Sequence, residues 1–181
     1  MFKAFGDQRQ YRLPHYDYSS EGAYFVTICT KNREDYFGKI RGGIMGLNEV
    51  GLVAHQVWTE LPSYFNEVIL DEFIVMPNHI HAILFISCRH AINRVPTGKA
   101  NGGATGIYNP MGKGTLGEII RSFKARITFE IRKKSIADFS WQPRFYDHVI
   151  RNETELTRIR KYIRNNPLKW ELKQDDDYCD F

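Results

Sequence analysis

The 181-residue sequence predicts an α+β fold, an antiparallel sheet built in the order βαββαβ with helices on one face. Three patterns predict it. Apolar runs flank Pro77-Asn78 in Val68–Ile86 (VILDEFIVMPNHIHAILFI), the mark of a β-hairpin closed by a tight reversal. One helical stripe of apolar residues precedes that hairpin and another follows it. Short runs rich in β-branched and aromatic residues stand further out, at Ala23–Thr30 and just before Ile150. A chain of this length can fill one core, so a single domain is expected, its core at about 23–170.

In chain order, residues 1–20 have no clear period and are expected to lie on the surface as an arm. Ala23–Thr30 (AYFVTICT) supplies the first strand. Tyr36–Leu47 holds Arg41-Gly42-Gly43 between strand-like pieces and reads as a small accessory hairpin. Asn48 offers an N-cap, and Leu47, Val50, Ala54, Val57, Trp58 and Leu61 recur at helical spacing up to Pro62. After the central hairpin, residues 88–114 are rich in Gly, Asn, Thr and Pro, and read as a long mobile insertion. Thr115-Leu116-Gly117-Glu118 fits a capping box for a helix whose buried stripe is Leu116, Ile119, Ile120, Phe123, Ile127 and Ile131. Trp141–Ile150 turns through Pro143 into a short strand. Asn152 caps a last helix that is expected to run to Asn166 and stop at Pro167. Stripped of the accessory hairpin and the C-terminal helix, the order is that of ferredoxin-like folds.

Composition narrows the function classes. No apolar run is long enough to span a bilayer, and the first 20 residues lack the apolar core of a signal peptide. Cys29, Cys88 and Cys179 are few, odd in number and unpatterned, which argues against a disulfide frame or a zinc knuckle and for a cytoplasmic location. Charge is uneven: Thr115–Lys173 holds 14 Lys and Arg against 7 Asp and Glu, within a chain of net charge +4. Such a basic segment suits a phosphate backbone, although a solvated helix face of mixed charge has the same composition.

The candidate chemistry starts at His79 and His81. Side chains two apart on a strand share a face, roughly 6.6 Å apart along the chain. Two imidazoles so placed can converge on one divalent ion, and in an apolar strand they need partners to offset their desolvation. His-x-His alone more often means two histidines that merely share a face, because metal sites normally show further ligands. Tyr162 stands at the margin of the last helix's stripe of Leu156, Ile159 and Ile163, with Asn166 four residues on and facing the same way. The Asn166 carbonyl can serve as an oxygen donor to the ion, and Tyr162 can attack a phosphate polarised by it. Tyr146, on the strand beside His148, is the rival nucleophile.

MPNHIHAIL, WQPRFYDHVIRN and RKYIRNNPLKW, in that order, resemble the single-tyrosine HUH transposases of bacterial insertion sequences, and most of all their REP-associated tyrosine transposases. The resemblance runs from about Tyr24 to about Trp170. It implies a ferredoxin-like fold and the cutting and rejoining of single-stranded, hairpin-bearing DNA through a 5′-phosphotyrosine link, with Mg²⁺ or Mn²⁺. By position it makes His79 and His81 metal ligands, Asn166 their helper and Tyr162 the nucleophile, and so favours Tyr162 over Tyr146. Asp147 and His148 of the WQPRFYDH segment are candidates for supporting the site. Arg121, Lys124, Arg126, Arg144, Arg151, Arg158, Lys161 and Arg164 are the candidate DNA contacts, and a monomer or a homodimer is compatible with the resemblance. Two rival functions remain open: a non-cleaving hairpin-binding protein descended from a transposase, and a hydrolytic phosphodiesterase using a metal-bound water.

Overall fold

The computed structural model describes residues 16–87, 114–134 and 138–176. The insertion read at 88–114 lies outside these residues apart from Gly114, as does most of the N-terminal arm. Four strands, β1 (Gly22–Cys29), β4 (Val68–Val75), β5 (His79–Ile86) and β6 (Tyr146–Ile150), form an antiparallel sheet of order β4-β5-β1-β6. This is the ferredoxin-like order. Between β1 and β4 come the accessory hairpin, β2 (Gly38–Arg41) and β3 (Ile44–Leu47), then α1 (Glu49–Thr59) and the short α2 (Leu61–Tyr64). α3 (Leu116–Lys133) joins β5 to β6, and α4 (Glu153–Arg164) and α5 (Asn166–Asp176) follow.

Alternation along β1 and β5 divides the interior in two. Tyr24, Val26, Ile28, Ile80, Ala82, Leu84 and Ile86 point to one side and pack with α1 and α3 around Trp58 and Phe123. Ala23, Phe25 and Ile83 point to the other, where Leu156, Ile159 and Ile163 of α4 cover them. The βαβ helices thus share one face as expected, and the C-terminal helix takes the opposite one. Among the described residues no helix is long and apolar enough to cross a membrane.

The helix starts follow the sequence signals. Asn48, Thr115 and Asn152 each accept a backbone N–H from the third residue beyond, at 2.9, 3.2 and 2.8 Å. Glu118 and Glu155 reach back one residue further than the usual capping box, to the amides of Gly114 and Arg151.

Three expectations need correction. Tyr18 is not on the surface: it is 3% exposed, packs near Tyr24 with ring centroids 6.3 Å apart, and its carbonyl accepts the amide of Leu116 at 3.0 Å. Pro62 does not end α1 directly, because Glu60 caps it and Pro62 then sits in the first turn of α2. Pro167 does not stop the last helix. α4 closes at Arg164 and α5 begins at Asn166, with Pro167 as its second residue, where a missing N–H costs nothing.

Candidate active site

β5 opens with His79 directly after the Pro77-Asn78 reversal, whose closing bond runs from the Met76 amide to the His79 carbonyl at 2.8 Å. The rings of His79 and His81 are nearly fully buried, and their Nε2 atoms are 3.1 Å apart. Each ring is oriented through its other nitrogen. His79 Nδ1 lies 2.8 Å from Asn78 Oδ1, an acceptor, so Nδ1 carries the proton and Nε2 presents a lone pair. The Asn78 amide is itself oriented by donating to the Arg33 carbonyl at 2.9 Å. His81 Nδ1 lies 2.9 Å from Thr27 Oγ1, its register partner on β1. Phe25 stacks on His81 at 5.4 Å, and Trp170 of α5 lies 5.5 Å from His79.

Burial holds both imidazoles neutral. Desolvation pushes His79 down to about 4, helped by the Arg33 charge, and pushes His81 well below the usual imidazole range, helped by His79 and Arg33. Neutral rings with convergent Nε2 atoms fit a cation. In an octahedral shell with bonds of about 2.1–2.2 Å, adjacent ligand atoms are about 3.0–3.1 Å apart, since the edge is √2 times the bond. Among the described residues no group of three His, Cys, Asp or Glu could hold a metal. Further donors would therefore be the Asn166 amide, water or oxygens of a substrate.

Tyr162 brings its hydroxyl 3.2 Å from His81 Nε2 in the same chain. Its ring lies 5.2 Å from that of His81 and 6.1 Å from Phe25, with Lys169 Nζ 5.8 Å over its face. Burial raises the phenol above its usual range, and a hydrogen bond from Asn166 offsets part of that rise. Asn166 is buried at the start of α5, not on α4, yet the break at Asn165 leaves it against Tyr162. Tyr146 is one strand further off. Thr27 pairs with His81 on one side and with Tyr146 on the other, so two strand spacings, about 9.6 Å, separate Tyr146 from His81.

α4 is held against the edge strand around Tyr162. A β-bulge between Leu70 and Phe73 turns out Asp71 and Glu72. Arg160 grips Asp71 through two bonds, Nε–Oδ1 at 3.0 Å and Nη2–Oδ2 at 2.5 Å, and Arg164 pairs with Glu72. The two pairs bracket Tyr162 one turn apart. α5 is held similarly: Glu171 accepts the amides of Gly42 and Gly43 at 2.8 and 2.5 Å, at the β2–β3 turn where both glycines have positive φ.

The remaining sequence candidates separate. Asp147 pairs in register with Val26 and lies on the α1–α3 side of the sheet, away from the imidazoles. His148 is on the α4 side and bonds Glu155 at 2.8 Å. Arg158, Lys161 and Arg164 lie exposed on α4, and Arg151 is exposed just before it. Arg144 is exposed ahead of β6, whereas Arg121 is exposed on α3, which covers the other face. Lys124 is engaged within the chain: its ammonium is folded in to the carbonyls of Gln142 and Arg144 at 2.7 and 2.9 Å, and burial pushes it down to about 8. Arg126 is likewise engaged, lying 3.7 Å over the Tyr64 ring, bonding its hydroxyl at 2.7 Å and pairing with Glu60. Thr27 and Arg33 enter the site without a sequence signal, because strand register and the 30–34 turn bring them there, whereas Asn78 and Trp170 stand inside the MPNHIHAIL and RKYIRNNPLKW motifs.

No family model matches the chain. A protein of Haemophilus influenzae (strain ATCC 51907 / DSM 11121 / KW20 / Rd), described as uncharacterized, is 43% identical over 177 residues, 96% of this chain and 94% of its own. Among solved structures, a REP-associated tyrosine transposase bound to a REP hairpin matches 90% of this chain and 74% of its own, at 20% identity and a TM-score of 0.56. A crystal structure from Deinococcus radiodurans R1, provisionally assigned as a transposase, matches 85% of this chain and 95% of its own, at 14% identity and a TM-score of 0.47. The chain belongs to one family with the Haemophilus influenzae protein, and its fold is that of a REP-associated tyrosine transposase.

Proposed function

We propose that the chain is a metal-dependent transposase of the HUH type, a single-stranded DNA endonuclease that cuts and rejoins at hairpin-containing sites through a 5′-phosphotyrosine intermediate. The observation that carries this reading is the Tyr162 hydroxyl 3.2 Å from His81 Nε2, beside an imidazole pair whose Nε2 atoms are 3.1 Å apart. Neutral, oriented imidazoles beside one phenol form the kind of perturbed cluster that gathers at functional sites. The solved transposase of the same fold was bound to a REP hairpin, which supports a hairpin as substrate.

His79 and His81 would hold Mg²⁺ or Mn²⁺ through Nε2, with the Asn166 carbonyl as a further donor. When bound, such an ion supplies Lewis-acid polarisation of the scissile phosphate and neutralises charge that develops on it. Asn78 keeps the His79 Nε2 lone pair turned inward, and Thr27 Oγ1 would do the same for His81 by accepting from its Nδ1–H. Asn166, through its NH₂ group, holds the phenol oxygen. Tyr162 Oη then bonds to phosphorus as the P–O3′ bond breaks; the phenolic proton leaves to solvent, and the departing 3′ oxygen takes one up. The downstream strand stays joined to Tyr162 by its 5′ phosphate, and reversal by another 3′-hydroxyl rejoins DNA. Arg151, Arg158 and Lys161, exposed around the Tyr162 helix, are the proposed backbone contacts. All these residues belong to one chain, so the proposed site needs no second copy.

The test is incubation with Mn²⁺ and a single-stranded oligonucleotide carrying inverted repeats found beside the gene, read on a denaturing gel. A protein–DNA adduct is expected with the wild type and none with Tyr162→Phe. Tight hairpin binding with no adduct and no metal dependence would identify a non-cleaving binding protein. A free 5′-phosphate product with no protein attached would identify a hydrolase.

A further inference from the structure

We infer that Lys169 is the cation that meets the scissile phosphate, an inference that rests on the function proposed above. Lys169 is the fourth residue of α5, and its ammonium stands over the Tyr162 ring with Nζ 5.8 Å from the centroid. Asn166, Lys169 and Trp170 take positions i, i+3 and i+4 of that helix and so share one face. The face is turned to the site: Asn166 bonds the Tyr162 hydroxyl, and Trp170 lies 5.5 Å from His79.

The helix is fixed where it stands. Glu171 accepts the amides of Gly42 and Gly43, and Leu168 packs so near Gly43 that an added Cβ would lie 3.2 Å from its Cδ1. The Lys169 amide donates to the Asn165 carbonyl at 3.2 Å, across the break that sets Asn166 against Tyr162. One short helix thereby carries a carboxamide, an ammonium and an indole to the imidazoles and the phenol.

Lys169 is exposed, and among the described residues no carboxylate or other hydrogen-bond acceptor engages its ammonium. A cation near the start of a helix gains nothing from the helix dipole, which favours anions there. At 5.8 Å the contact with the ring is at the outer limit of cation–π pairing, so the ring alone is a weak partner. A phosphoryl group on the Tyr162 oxygen would bring its own oxygens beside the ring. A lysine on its flexible stem meets such an oxygen at about 2.8 Å. The imidazoles, the phenol, the Asn166 carboxamide and the Thr27 hydroxyl are all neutral, and Lys169 adds a positive charge where negative charge builds. As the Oη–P bond forms and the P–O3′ bond breaks, Lys169 donates a hydrogen bond to a non-bridging oxygen and keeps its proton.

Lys169→Met keeps an unbranched apolar stem and removes the charge. On the Mn²⁺ and hairpin-oligonucleotide assay, K169M should slow adduct formation about 10²-fold, with hairpin and Mn²⁺ affinity within about threefold of wild type and an unchanged melting temperature. Lys169→Arg should recover most of that rate. A phosphorothioate at the scissile position separates contact from positioning, because sulfur is a weak hydrogen-bond acceptor. With the wild type, the diastereomer whose sulfur faces Lys169 should react more slowly than the other, and K169M should lose that preference. A K169M that reacts as fast as wild type, one slowed only in proportion to lost hairpin or Mn²⁺ binding, or one slowed with the preference intact overturns the assignment of Lys169 alone. A wild type that forms no adduct overturns the transposase reading and this assignment with it.

Discussion

The two faces of the sheet are made by the same strands and differ in kind. On one face Tyr24, Val26, Ile28, Ile80, Ala82 and Leu84 meet α1 and α3 in a core closed by Trp58 and Phe123. On the other, the intervening residues start apolar, with Phe25 and Ile83 under α4, and become polar toward the end where Thr27, His79 and His81 stand. A single period-two pattern therefore builds a stabilising surface and a chemical one back to back. The first is held by volume, the second by named hydrogen bonds, and mutations on the two sides should separate accordingly.

Tyr162→Phe should break the chemical side outright. Adduct formation should fall by at least about 10⁴-fold, about 5.4 kcal/mol of barrier, with a melting temperature near that of wild type. Loss of the fold along with the adduct would show that the two sides are not separable. On the crowded side, Ile80→Ala should cost about 2–5 kcal/mol in urea denaturation, while each folded molecule still forms adduct.

The buried imidazoles give the comparison a pH signature. The folded pKa of His79, at about 4, lies below its ordinary 6.5. Between these values the unfolded chain binds a proton that the folded chain does not, so the His79 contribution to metal-free stability should be lost as pH drops from about 6.5 to about 4, while His81, held lower still, goes on losing its own below that. For His79 alone the loss is about 3 kcal/mol, and a denaturation series on His79→Gln should lack that part of it. The smallest effect is expected at the clamp. Asp71→Asn should cost about 1 kcal/mol or less in stability, because the pair is partly exposed. It should slow adduct formation about tenfold by loosening the helix that carries Tyr162, with hairpin affinity unchanged.

Much of this was legible in the sequence, for local reasons. The hairpin announced itself through Pro77-Asn78 between apolar runs, and three helix starts through Asn48, Thr115 and Asn152, because reversal and capping depend on neighbours in the chain. Tyr162 and the histidine pair were legible as motifs. What was not legible depends on register and folding back. Thr27 reaches His81 only because β1 pairs with β5 in one register, and Lys124 looks like a DNA contact until Trp141–Arg144 is found folded over it. Pro167 looks like a stop because proline breaks helices in their interior, a rule that lapses in a first turn.

The bulge at Asp71 and Glu72 has a further effect, since β4 is an outer strand of the sheet. An outer strand with free backbone groups can recruit another copy and grow into aggregates, and carboxylates on a twisted, irregular rim discourage it. Replacing both acids with apolar residues would remove that guard, so insolubility rather than unfolding should be the first symptom.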